Sequence, residues 1–248
     1  MKKIIHFKKI GSTQNYATKN AEKYSDLTII VADRQTGGRG QFNRKWHSPA
    51  GGLYFSIILK PKNIKPDALP ILTYALALSI ADAIKKISGL KPELKWPNDV
   101  VIRGKWEVGS RKWKKLAGIL TESCLGEKSV KWVAISAGIN VNNKIPESLG
   151  GIAVSIADLT GKKCDKKNLL KEILKNFGEY YPSFPRFEIL KKYTQKSMLI
   201  GKKTTMAYAG EKYAGRVTGF NQNGAIEMSL RGNIKKTFYS GEVTVPSF

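Results

Sequence analysis

The sequence predicts an α+β protein, with a mixed β-sheet and helices over residues 1–196 and a small antiparallel β-barrel over residues 197–248. Three observations carry this expectation. Through residue 196, short apolar runs of strand length alternate with stretches of helical period. After Lys196 the long helical pattern stops. The remaining chain shows short β runs punctuated by Gly201, Ala209-Gly210, Asn221 to Gly224, Arg231-Gly232 and Gly241, the turn-rich texture of a small barrel.

In chain order, Lys3 to Lys8 reads as a first strand, and Gly11-Ser12-Thr13 supplies a turn and capping hydroxyls for a helix over Gln14 to Lys23. Leu27 to Ala32 is a strand feeding a glycine-rich loop, and Leu53 to Lys60 is the strand leaving it. Pro70 to Ile87 carries the apolar face of a long helix. Leu94 to Ile102 combines strand residues with the turn W-P-N-D, and Lys115 to Glu122 and Val130 to Val141 read as buried strands. Asp165 is suited to cap a helix over Lys166 to Tyr180, and helical pattern resumes over Phe187 to Gln195 after the break P-S-F-P. There is no internal repeat and no low-complexity segment.

Composition narrows the function classes. Lysine and arginine number 43 against 19 acidic residues, a net charge of +24, which favours an anionic partner: nucleic acid, an acidic protein or a phosphorylated small molecule. Much of this excess is scattered lysine, as in K-P-K-N-I-K and G-K-K-C-D-K-K-N, and reads as solvated surface. Cys124 and Cys164 lie far apart and support neither a disulfide framework nor a cysteine zinc site. With His6 and His47 the only histidines, a histidine metal cluster or a hydrolytic triad has little to draw on. No run approaches the roughly 18 apolar residues of a membrane span, and the start M-K-K-I-I-H-F-K-K lacks a signal-peptide core. A cytoplasmic protein is expected.

One stretch points to a ligand. G-G-R-G-Q-F-N-R-K-W-H-S-P-A-G-G-L-Y, from Gly37 to Tyr54, crowds glycines against Arg39, Arg44 and Lys45 between two strands. Glycine lets backbone N–H groups approach a ligand, and guanidinium groups suit phosphate or carboxylate oxygens. Lys45 reads as a surface residue.

Four stretches then fall in order: G-S-T-Q-N at 11 to 15, the glycine loop with its preceding R-Q-T, K-W-P-N-D at 95 to 99, and K-L-A-G-I-L-T-E at 115 to 122. With A-G-I-N-V at 137 to 141 and the terminal G-A-I-E…G-E-V-T-V, this ordered set resembles the biotin protein ligases across nearly the whole chain, in the short form without an N-terminal DNA-binding domain. The resemblance implies a catalytic domain of the class II aminoacyl-tRNA synthetase type followed by a barrel like a Src-homology 3 domain. It also implies the reaction: biotin and ATP, with Mg2+ carried on the nucleotide, give biotinyl-5′-AMP and pyrophosphate, and the biotinyl group passes to a lysine of a biotin carboxyl carrier protein domain.

By the same resemblance, Ser12, Thr13 and Gln35 bind the ureido ring of biotin, and Gly37, Gly38 and Gly118 line its pocket. Gln35 has no evident local task, whereas the hydroxyls also suit a helix cap. Arg39 lies on the biotin and carboxylate side, Arg44 meets phosphate oxygens, and Lys115 reaches both carboxylate and α-phosphate. Gly40, Trp46, Asn98 and Asn140 surround the nucleotide. Asp99 lies where Mg2+-bound phosphate meets the incoming lysine, with no metal ligand assigned to the protein itself. Strand alternation allows only one of Lys114 and Lys115 to face the site, and the lysine directly before Leu116 fits the motif.

Two departures stand out. Gln41 replaces an arginine common in the family's loop, and the basic, tryptophan-bearing stretch 103–114 is longer than the family pattern. The rival readings are a lipoate ligase or octanoyltransferase, whose substrate has no ureido group, and a basic nucleic-acid-binding protein. With the first strand starting near Lys3 no room is expected for a DNA-binding domain, and so no specific DNA binding. No membrane association is expected, and a homodimer is left open.

Overall fold

A computed structural model describes residues 3–62, 64–104, 113–127 and 129–245. Seven strands form the main sheet: β1 (Ile4–Phe7), β2 (Thr28–Ala32), β3 (Leu53–Leu59), β4 (Glu93–Lys95), β5 (Asp99–Arg103), β6 (Trp113–Leu125) and β7 (Val130–Ile139). Their order is β1-β2-β3-β7-β6-β5-β4. β1 pairs in parallel with β2, and the other neighbours are antiparallel, so the sheet is mixed as expected. The tip of the basic stretch, residues 105–112, lies outside the described residues.

Alternation sorts the side chains to two covered faces. Ile30, Ile58 and Ala134 meet Ala17 and Ala21 beneath helix α1 (Thr13–Asn20). Their sequence neighbours Ile29, Ile57 and Ile135 face the larger core with α2 (Leu69–Ser88). Every residue of β3 is therefore buried, the mark of a strand covered on both sides. After β7 come two short helices without a sequence forecast, α3 (Glu147–Gly150) and α4 (Ile156–Thr160), then α5 (Lys166–Tyr180) and α6 (Arg186–Lys196), which pack on α2. Asp165 caps α5 by accepting from Lys167 N and Asn168 N.

The apolar character of α2 exceeds the sequence expectation. By length and hydropathy alone, Pro66–Ser88 reaches the level of a membrane span, yet 78% of its most apolar window is buried inside the protein. The sheet covers one side of the helix and α5 and α6 another, which accounts for apolar residues nearly all round.

The C-terminal sheet comprises β8 (Lys203–Tyr208), β9 (Glu211–Phe220), β10 (Ile226–Leu230), β11 (Lys235–Phe238) and β12 (Glu242–Thr244), ordered β11-β10-β9-β8-β12 and antiparallel. Its buried Met206, Val217, Ile226, Met228 and Val243 are continuous with the main core. Tyr74 of α2 joins the two parts. Its ring stacks on Tyr193 with centroids 3.9 Å apart and meets Phe220 at 6.3 Å. Its hydroxyl donates to Gly224 O, which also accepts from Trp96 Nε1 at 3.3 Å. Burial pushes the Tyr74 phenol far above its usual range, so it stays a neutral donor.

Gly224 has φ 83°, and a Cβ there would lie 2.7 Å from the Tyr74 ring. Gly224→Ala is expected to cost about 1–3 kcal/mol through backbone strain and overpacking, seen as a lower thermal midpoint. Gly210→Ala, also at positive φ but with open space around it, should lower the midpoint less.

Candidate active site

The glycine loop folds back on itself as a narrow ribbon. Gln35 N bonds Ser48 O at 3.0 Å, Trp46 N bonds Gly38 O at 2.9 Å and Gly40 N bonds Arg44 O at 2.7 Å. Gly37 N bonds Gly11 O at 2.7 Å. The N–H groups of Gly37 and Gly40 thus serve the chain, contrary to the expectation that they face a ligand. Glycine is required instead for close packing: a Cβ on Gly38 would fall 2.4 Å from Ser48 Oγ and 2.6 Å from Trp46 O.

Beneath the ribbon lies a polar network. Ser12 caps α1 by accepting from Asn15 N at 3.3 Å. Thr13 donates to Gln35 Oε1 from both its N (2.8 Å) and its Oγ1 (3.1 Å), and Gln35 Nε2 donates to Ser48 Oγ at 2.9 Å. Gln35 therefore does have a structural task, tying the start of α1 to the loop; the pairing spans 22 residues and had no local signature.

Lys115 reaches the cleft because β6 slips register. Val101 pairs with Lys115 but Val100 with Ala117, which leaves Leu116 as an extra residue. Counted back from Gly118 by simple alternation, Lys114 would share its face. The extra residue reverses this: Lys115 Nζ would stand 2.9 Å from a Cβ on Gly118, and Lys115 lines the cleft while Lys114 does not. Lys115 Nζ sits 2.6 Å from Asp99 Oδ1 and 5.1 Å from the centroid of the Trp46 ring. Asn98 Nδ2 donates to Ile119 O at 2.6 Å, fixing the W-P-N-D turn, whose Trp96–Pro97 peptide is cis, against β6.

These groups surround one cavity of about 270 Å³. Ser12, Thr13, Gln35, Arg39, Gly40, Arg44, Trp46, Asn98, Asp99, Lys115, Gly118 and Asn140 line it; Gly37 and Gly38 do not. Among the described residues, the cations Arg39, Arg44, Lys45, Lys95 and Lys115 outweigh the lining carboxylates Asp99 and Glu242. Lys45 is exposed, as expected, and also borders the cleft. Trp46 Nε1 and Gln14 Oε1 are buried without a hydrogen-bond partner, and both residues line the cavity. A cationic cleft with an unpaired donor and an unpaired acceptor suits an anionic ligand that carries both kinds of polar group.

Several lining residues had escaped sequence reasoning. Gln14 sits inside the G-S-T-Q-N motif but was passed over beside its hydroxyl neighbours. Gly138 sits inside A-G-I-N-V with no site role expected of it, although a Cβ there would lie 2.2 Å from Trp46 Nε1. Glu242 of β12 holds Arg44 through two bonds of 3.1 and 2.6 Å, across 198 residues. That hydrogen bond and charge raise the Arg44 pKa further. Gly138→Ala is expected to push Trp46 out of the cleft wall and to cost about 1–3 kcal/mol, read as a lower thermal midpoint and a shifted Trp46 in a crystal structure.

A family model described as the biotin/lipoate A/B protein ligase family matches residues 6–142. The chain is 33% identical to the bifunctional ligase/repressor BirA of Bacillus subtilis, over 97% of this chain and 73% of that protein. It is 27% identical to the biotin–[acetyl-CoA-carboxylase] ligase of Mycobacterium tuberculosis, over 81% and 73%. Among solved structures, the biotin protein ligase of Aquifex aeolicus in complex with biotin and ATP has a TM-score of 0.80 and 32% identity, over 99% of each chain. A fold shared from end to end with that ligase, and a family match that spans the glycine loop, the W-P-N-D turn and Lys115, lead to one conclusion: this chain belongs to the biotin/lipoate A/B protein ligase family.

Proposed function

We propose that this protein is a biotin protein ligase. It joins biotin to ATP as biotinyl-5′-AMP and pyrophosphate, then transfers the biotinyl group to a lysine of a carboxylase's carrier domain. The observation that carries this reading is the convergence of Lys115, Arg39 and Arg44 on one cavity that is also lined by the hydrogen-bonded pair Thr13 and Gln35. The two substrates fit these two sets of groups: a ureido ring needs partners for two N–H groups and a carbonyl, and the carboxylate and triphosphate need cations.

In the first step a biotin carboxylate oxygen attacks the α-phosphorus, and the bond to the β-phosphate breaks. The reacting groups are both anionic. Two unit charges about 4 Å apart repel by about 4 kcal/mol at an effective dielectric near 20, roughly a thousandfold in rate. Lys115 offsets this repulsion most directly, with Arg39 on the carboxylate side and Arg44 on the phosphate side. In the second step the carrier lysine nitrogen attacks the acyl carbon and AMP leaves. Asp99, a cavity-lining carboxylate paired with Lys115 through Oδ1, is assigned here to take the amine proton.

Magnesium belongs on the nucleotide in this reading. Among the described residues no three His, Cys, Asp or Glu side chains gather as metal ligands. Residues 1–196 act as a class II synthetase-like catalytic unit. Residues 197–248, read as an SH3-like barrel, close the cleft through Gly241, Glu242 and Val243. The cytoplasm, where ATP and apo-carboxylases meet, is the proposed location.

The function is tested by incubating the protein with ATP, Mg2+, a biotin carrier domain and either biotin or lipoate. Biotin should label the carrier lysine, and lipoate should fall at least a thousandfold behind, because it leaves the ureido partners unpaired. Equal labelling would make this a lipoate enzyme. Lys115→Ala is expected to slow adenylate formation by a factor of about 100–1,000, read as pyrophosphate release, while Lys114→Ala changes it less than threefold. The reverse order would overturn the register assigned to β6.

A further inference from the structure

Arg39 does not stand alone at the cleft. Its Nη2 donates to Glu122 Oε1 at 3.0 Å, and its Nη1 donates to Asn15 Oδ1 at 2.7 Å and to Glu122 Oε2 at 3.5 Å. Glu122 lies on β6, two residues beyond Leu120 and four beyond Gly118. Those two residues line the cavity and Glu122 does not. Alternation aims it at the same side, one step outside the wall.

The same carboxylate holds a second group. Gln14 Nε2 donates to Glu122 Oε2 at 2.9 Å and to Ala134 O at 3.0 Å, and Ala134 is the cross-strand partner of Glu122. Both acceptors demand the amide nitrogen, so the orientation of the Gln14 amide is fixed. Its Oε1 is left as a buried acceptor without a hydrogen-bond partner, on a residue that lines the cavity. Gln14 itself is 2% exposed.

Resting on the ligase reading above, we propose that Glu122 is a positioning residue, which orients the Arg39 guanidinium and the Gln14 amide toward the biotin end of the cleft without touching substrate. Guanidinium has five N–H donors in a rigid fork. Three of the contacts above use Nη1 and the inner side of Nη2, which leaves Nε and the outer N–H of Nη2 for an anion. A long side chain held by two partners loses little further freedom on binding, and that preorganisation strengthens binding. A carboxylate near a reacting anion carries an electrostatic cost, so a competing role for Glu122 makes the opposite prediction: it would occupy Arg39 in place of the substrate and have to be displaced.

A double-mutant cycle with Glu122→Gln and Arg39→Ala separates these roles, with biotin-dependent pyrophosphate release as the readout. Glu122→Gln should raise KM for biotin about tenfold and change kcat less than threefold, with an unchanged thermal midpoint. In the Arg39→Ala background the same substitution should raise KM for biotin less than threefold, because one of the two groups it orients is gone and only the Gln14 contribution is left. Glu122→Asp, which keeps the charge one methylene farther back, should fall between parent and Glu122→Gln, and the cycle is run with it if the glutamine variant does not fold. A KM that falls or stays constant, or an effect that persists in full without Arg39, overturns the proposal. A parent protein that releases no pyrophosphate in response to biotin refutes the ligase reading itself, a result distinct from a flat cycle in an active parent.

Discussion

The constraint on which the rest of this structure depends is the repulsion between two anions that must meet in one cavity. About 4 kcal/mol has to be offset at the moment of attack, and only fixed positive charge inside a walled cleft does so efficiently. In the proposed mechanism this requirement is served by a register slip in β6 beside β5. One extra residue in β6, Leu116, puts Lys115 on the face of Gly118, beside Asp99 and under Trp46. Gly118 and Gly138 then have to be glycines, because the lysine and the indole occupy the space their side chains would need.

The two arginines are treated alike. Arg39 is tied to Glu122 on the main sheet, and Arg44 to Glu242 on the C-terminal sheet. The glycine ribbon between them is thereby fastened at both ends, to two parts of the molecule that share one core. The contact of Tyr74 with Gly224 extends that fastening from below: it packs the C-terminal sheet on α2, and β12 in turn completes the cavity wall. The small sheet is therefore a structural component of the cleft. Its own ion pair is exposed and contributes placement more than stability.

Much of the fold could be read from sequence where the signal is local. β3 appears as an apolar run interrupted only by Ser56, and the span of α5 follows from Asp165 and the helical period after it. That Lys115 and not Lys114 lines the cleft was legible from K-L-A-G-I-L, but the reason was not. Alternation alone, applied backward from Gly118, selects Lys114, and a register slip leaves no mark in composition. Likewise Gln35, Gly138 and Glu242 act through partners 22 to 198 residues away. α2 misled in the other direction: it reads as a helix with one apolar face, whereas it is apolar nearly all round because more than one side is covered. The short helices α3 and α4 have too few turns for a periodic signal, although Ser155 and Asp158 form a capping box.

The central claim is that this cleft joins a carboxylate to the α-phosphate of ATP. Exchange of labelled pyrophosphate into ATP, with no carrier protein present, isolates that step from everything that follows. The account predicts exchange that requires biotin, saturates with it, and is lost in Lys115→Ala while Lys114→Ala retains it. Exchange independent of biotin, or none in a folded parent supplied with biotin, ATP and Mg2+, would contradict it.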